Sequence, residues 1–91
     1  MVRILQTPTF KRAVKRLRKQ QKQELDEVVR AIAQDPAIGE GKVGDLAGVR
    51  VHKFKMNRQL SLLAYEFLEA DDAVKLLALG SHENFYRNLK R

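Results

Sequence analysis

Val49-Arg50-Val51-His52-Lys53-Phe54-Lys55-Met56, Leu60-Ser61-Leu62-Leu63-Ala64-Tyr65-Glu66-Phe67-Leu68 and Ala73-Val74-Lys75-Leu76-Leu77-Ala78-Leu79 decide the fold. The runs are rich in β-branched, aromatic and leucine residues, and two short polar turns separate them: Asn57-Arg58-Gln59 and Glu69-Ala70-Asp71-Asp72. That pattern reads as three consecutive strands joined by tight connections. The third run is apolar on both parities apart from Lys75, which suits a central strand covered on both faces.

Outward from this meander, Ala37 to Gly48 holds Gly39, Gly41, Gly44 and Gly48 and reads as a connecting loop. No Gly-Lys-Ser/Thr signature or following helix makes it a phosphate-binding loop. Before it, Asp35-Pro36 stops a helical stripe of Leu25, Val28, Val29 and Ile32. Glu24, Asp26 and Glu27 are expected in that helix's first turn, where the helix dipole favours acids. An earlier stripe, Phe10, Val14 and Leu17, has Thr7-Pro8-Thr9 as cap and first residues. The polar stretch Arg18 to Gln23 is read as the break between the two helices of an antiparallel hairpin. Val2 to Gln6 alternates and reads as a short strand. After Gly80, Ser81 can cap a short helix.

The expected fold is therefore α+β, in the order β-α-α-β-β-β-α. A small antiparallel sheet of about four strands carries an N-terminal helical hairpin on one face, and a short C-terminal helix closes the chain. At 91 residues the chain is expected to form a single domain, 1–91.

The net charge of +7 favours a polyanionic partner. The cations are clustered. Lys11, Arg12, Lys15, Arg16, Arg18, Lys19 and Lys22 fall together with no acid among them. Arg50, Lys53, Lys55 and Arg58 form a second group around His52, and Arg87, Lys90 and Arg91 a third. Cysteine is absent, which excludes disulfides and thiolate chemistry and fits a reducing, cytoplasmic setting. With only His52 and His82 available, no structural zinc site is expected, and no cofactor is called for. No apolar stretch approaches the ~20 residues of a membrane span, and Met1 to Gln6 is too short for a signal peptide.

The closing stretch, Gly80-Ser81-His82-Glu83-Asn84-Phe85-Tyr86-Arg87-Asn88-Leu89-Lys90-Arg91, carries the most chemistry. On a helix His82 and Tyr86 share a face. A proton acceptor for neutral pH, a phenol and fixed positive charge are what metal-independent cleavage of an RNA phosphodiester needs. The candidate catalytic groups are His82, Tyr86, Arg58 and His52. The candidate RNA-binding cations are Lys11, Arg12, Lys15, Arg50, Lys53, Lys55, Arg87 and Lys90. Each also has a plain reading. His52 is equally a half-exposed strand residue, Arg58 a turn cation, Tyr86 a packing residue beside Phe85, and the Lys11–Lys22 run a solvated helix face. In a regular strand Arg50 and His52 share one face and Lys53 and Lys55 the other.

Thr7-Pro8-Thr9-Phe10-Lys11-Arg12, the basic helical hairpin, Leu46-Ala47-Gly48-Val49-Arg50-Val51-His52 and Leu79-Gly80-Ser81-His82, in that order, resemble the RelE/ParE superfamily of toxins from bacterial type II toxin–antitoxin modules. The Gly-Ser-His ending, with an aromatic four residues after the His, resembles the YafQ-like branch. There the C-terminal His is a catalytic acid or base and the aromatic stacks on RNA, roles that fall on His82 and Tyr86. The branch's second-strand His falls on His52; RelE proper carries Lys in that strand and Arg and Tyr at its end. Arg58 stands near the superfamily's arginine of the next strand after a shift in alignment, and the YafQ-like Asp of that hairpin has no counterpart. The resemblance implies a ribosome-dependent endoribonuclease that cuts mRNA, with the ribosome and mRNA as partners. It also implies a cognate antitoxin bound in a hetero-oligomer. Two other readings stay open. One is a ParE-like DNA gyrase inhibitor, in which both histidines are incidental. The other is a non-catalytic ribosome- or nucleic-acid-binding relative.

Overall fold

Leu62, Leu63, Ala64 and Tyr65 are consecutive, and all four are fully buried. Successive strand residues point to opposite faces, so this strand must be covered from both sides. The computed structural model describes residues 2–81 and Phe85. In it β1 (Arg3–Gln6), β2 (Glu40–Gly41), β3 (Arg50–Met56), β4 (Gln59–Leu68) and β5 (Ala73–Gly80) form one sheet in the order β1-β5-β4-β3-β2. Helices α1 (Pro8–Lys15) and α2 (Lys19–Gln34) lie between β1 and β2 in the chain.

Phe10 of α1 and Leu25 and Ile32 of α2 pack with Met56, Leu63, Tyr65, Val74 and Leu76, forming the core on one face of the sheet. The opposite face has its own smaller cluster of Val51, Leu62, Ala64 and Ala78, closed by Phe85. Phe85 is helical and buried; covering one phenyl ring in this way stabilises by roughly 1.5–3 kcal/mol. The rest of the expected C-terminal helix lies outside the described residues.

Several expectations need correction. The sheet has five strands rather than about four, and it is mixed rather than antiparallel. The additional strand, β2, is a two-residue pairing of Glu40 and Gly41 with Val51 and Arg50, too short to leave a periodic signal. β1 pairs parallel to β5, from Arg3 opposite Ala73 to Gln6 opposite Leu76; strand direction leaves no mark in the alternation of side chains. The break between the helices is also shorter than the polar stretch suggests. α2 begins at Lys19, and the Gln21 side chain accepts the Arg18 backbone N–H at 2.9 Å. The polar residues thus start a helix instead of linking two, and Glu24, Asp26 and Glu27 fall beyond its first turn.

The β3–β4 connection is tighter than the expected three residues. Met56 pairs with Gln59, leaving Asn57 and Arg58 as a two-residue turn with φ of 53° and 67°. Positive φ at both positions matches the twist of the flanking strands. Asn tolerates it; for Arg the left-handed conformation costs roughly 1–2 kcal/mol.

Where β4 meets β5, Tyr65 pairs with Leu76 and Ala64 with Ala78, so Leu77 is an extra residue and the ladder bulges there. Thr7 holds this bulge. Its hydroxyl donates to the Leu77 carbonyl at 2.9 Å, and its backbone N–H donates to the Leu76 carbonyl at 3.1 Å. The same Oγ1 accepts the Phe10 N–H at 3.1 Å and caps α1, with Pro8 at the first helical position. Thr7→Ala removes the cap and leaves the bulge carbonyl without this donor, so we expect a loss of about 1–2 kcal/mol. Thr7→Ser keeps both bonds and should lose under about 0.5 kcal/mol. Urea unfolding midpoints of the two variants check this.

Candidate nucleic-acid interface

β3 and β4 pair through seven consecutive residues without a register shift, so the two faces of β3 are strictly separated. Arg50, His52, Phe54 and Met56 face the helices; Val51, Lys53 and Lys55 face the Phe85 cluster. Lys53 lies opposite Leu62, which in turn lies opposite Gly80. With about 4.8 Å between neighbouring strands, the Lys53 and Gly80 backbones are roughly 10 Å apart. Lys55 lies opposite Leu60 in the next row toward the hairpin tip. Both lysines are exposed. A Cβ placed on Gly80 would lie 3.5 Å from the Phe85 ring. The two lysines and the end of β5 therefore border the patch on which Phe85 sits.

Beyond this row, a groove passes from Arg16 and Leu17 at the end of α1, along Leu60 and Ser61, to Gly80 and Ser81. Lys11, Arg12, Lys15, Arg16, Arg18, Lys19 and Lys22 are all exposed around the corner between α1 and α2. Among the described residues the one ion pair is Lys42 with Glu40, at 2.9 Å. The corner's cations thus have no neutralising carboxylate in contact among the described residues. Arg58 is exposed at the hairpin tip. Arg16 lines this groove and the other corner cations are exposed near it, an arrangement suited to contacting phosphates without reading sequence.

The structure separates His52 from Lys53 and Lys55. Its imidazole lies along Phe54, with ring centroids 6.2 Å apart and planes inclined by 15°. Burial holds its pKa below the ordinary histidine value. Arg50 lies on this same face, and its guanidinium is engaged by the chain itself. Nη1 donates to the carbonyls of Gly39 at 2.7 Å and Ala37 at 3.3 Å. Its cross-strand partner Tyr65 serves the same loop. The phenol donates to the Pro36 carbonyl at 2.6 Å and accepts the Gly39 N–H at 2.9 Å. Gly39 is required there, since a Cβ would fall 2.6 Å from the Tyr65 oxygen. Burial pushes the Tyr65 phenol above its usual pKa, so it remains a donor. Sequence reasoning missed this clamp because its partners come from three separate segments, and Gly39 stood out from none of the other glycines of its loop.

His82, Tyr86, Arg87 and Lys90 lie outside the described residues. Phe85, in sequence between the first two and adjacent to Tyr86, fixes its own place on the lysine face.

Residues 4–90 match the family described as ParE-like toxin of type II bacterial toxin-antitoxin system. In sequence, the chain matches no curated protein. Among solved structures, it is similar to the toxin in the intact Escherichia coli RelBE toxin–antitoxin complex, with a TM-score of 0.75 and 14% identity over 91% of this chain and 99% of that one. The YoeB–YefM complex from Staphylococcus aureus matches at a TM-score of 0.67 and 17% identity, over 90% and 98%. The RelBE2 toxin–antitoxin complex from Mycobacterium tuberculosis matches at 0.66 and 20%, over 89% and 98%. At these identities the likeness establishes a shared fold.

Two measurements check the geometry. The folded His52 resists protonation relative to the unfolded chain, whose histidine titrates near 6.5. The unfolded state therefore gains the extra proton first as pH falls, and the stability present above about 6.5 is lost progressively below it. Urea midpoints between roughly pH 7.5 and 5.5 should fall less for His52→Gln than for the parent chain. Arg50→Lys, which loses the planar fork at two carbonyls, should cost about 1 kcal/mol in the same assay.

Proposed function

The chain belongs to the ParE-like toxin family of type II bacterial toxin–antitoxin systems, and on that premise we propose that it is a ribosome-dependent endoribonuclease. It cuts mRNA in the cytoplasm and so inhibits translation. The observation that carries this reading is the sidedness of β3: Lys53 and Lys55 project from the same face that buries Phe85. His82 and Tyr86, which flank Phe85 in the sequence, are the acid–base and stacking groups of the proposal.

The chemistry is transfer within the RNA strand. A ribose 2′-hydroxyl loses its proton to a base and attacks the adjacent phosphorus. Negative charge builds on the phosphorane oxygens, and the 5′-oxygen leaves with a proton supplied by an acid. His82 takes part in proton transfer. Lys53 and Lys55 neutralise the phosphorane, Arg58 holds a phosphate at the tip, and Tyr86 stacks on a base. His52, on the helix face with Phe54, is assigned no part, and Arg50 is assigned to the loop it holds. Lys11, Arg12 and Lys15 engage ribosomal RNA phosphates, and Arg87 and Lys90 add to these contacts. So small a site needs its substrate positioned by something larger, which the ribosome supplies. The relatives solved with their antitoxins support a cognate antitoxin as the neutralising partner here.

A second reading follows from the family's description as ParE-like: a gyrase poison on the same fold, with no use for His82. The two are separated by adding the protein to translating ribosomes and mapping transcript ends. We expect cuts in translated mRNA, little cutting of free RNA, and a loss of at least about a hundredfold in His82→Ala/Tyr86→Ala with antitoxin binding retained. Lys53→Ala/Lys55→Ala should lose a similar factor. Full toxicity of the His82→Ala/Tyr86→Ala variant, with DNA damage and intact transcripts, would give the gyrase reading.

A further inference from the structure

The tip of the β3–β4 hairpin is held from outside the hairpin. Glu24, in the second turn of α2, accepts the backbone N–H of Asn57 through Oε2 at 2.8 Å, thirty-three residues away in the chain. Its other oxygen accepts the Gln20 amide at 3.5 Å. The turn it grips holds two residues in the left-handed region, Asn57 and Arg58. Glycine is the usual second residue of such a turn; an arginine stands here, exposed, against its conformational preference. Strain of this kind persists only where the surroundings hold the conformation; the pairing of Met56 with Gln59 closes the turn, and the Glu24 carboxylate adds a hold from outside the hairpin.

Charge makes Glu24 an unexpected neighbour. A chain of net charge +7 that offers Arg58 to a phosphate gains nothing electrostatically from a carboxylate beside the same turn. The carboxylate is spent on a backbone donor, not on a cation, since the ion pair among the described residues is elsewhere.

We propose that Glu24 is a positioning residue for Arg58: its bond to the Asn57 N–H locks the turn so that the guanidinium meets an RNA phosphate at a fixed point beyond Lys55. The inference rests on the RNA-contacting role given to Arg58 above. It makes a prediction opposite in sign to simple electrostatics. Deleting a negative charge from a polyanion-binding protein strengthens binding by Coulomb attraction alone. Deleting Glu24 should weaken it.

The test is a double-mutant cycle read by fluorescence anisotropy, with a labelled, uncleavable 2′-O-methyl RNA oligonucleotide at one fixed ionic strength. Glu24→Ala should weaken binding about fivefold in the parent chain and leave it unchanged or slightly tighter in an Arg58→Ala background. Glu24→Gln, which keeps an acceptor oxygen for the turn, should stay within about twofold of the parent. Equal or tighter binding by Glu24→Ala overturns the proposal. So does equal weakening in both backgrounds, which marks a general structural effect, and so does a parent chain that binds no RNA. Cleavage of translated mRNA by the parent is read in parallel. An intact cycle without cleavage removes the nuclease reading and leaves the positioning role of Glu24 standing.

Discussion

The dryness of β4 governs this molecule. Leu62 and Ala64 point to one side of the sheet and Leu63 and Tyr65 to the other, and none of them touches water. The helices can cover only one side. The other is closed by Phe85. Covering that face is a packing requirement, and Phe85 meets it on the same face that bears Lys53 and Lys55. Burial of one phenyl ring therefore links the core to the proposed chemistry.

Polar groups obey the same discipline. Tyr65 reaches the helix-side core with a hydroxyl that must be paired, and the loop after Pro36 supplies both a carbonyl and an N–H. Arg50 adds two more bonds to that loop. A buried donor left unmade costs more than a formed bond gains, so the loop's path follows from the phenol's position. Thr7 plays the same part at the bulge, where the carbonyl of an extra residue would otherwise go without this donor. In both places a polar side chain joins segments that are distant in the chain.

The cations follow another logic. Those at the α1–α2 corner are exposed and lack a carboxylate in contact among the described residues. Such crowding opposes folding by self-repulsion and favours association with a polyanion. Arg58 adds backbone strain to that repulsion. Departures from local preference of this kind are typical of a working surface.

Much of this was legible beforehand. Apolar runs bounded by short polar turns revealed β3, β4 and β5; Thr7-Pro8 marked the start of α1 and Asp35-Pro36 the end of α2; and the parity of Arg50 and His52 against Lys53 and Lys55 was already in the spacing, because a strand's period of two is a local property. Charge and its clustering needed no coordinates either. What only the tertiary structure decided were pairings between distant segments: the parallel alignment of β1 with β5, the two-residue β2, the bulge at Leu77, the loop clamp of Arg50 and Tyr65, and Glu24 at the hairpin tip. Each depends on contacts whose partners lie far apart in the chain, and single-strand or single-helix periodicity holds no record of a partner. Sequence determined which residues share a face; packing determined what that face meets.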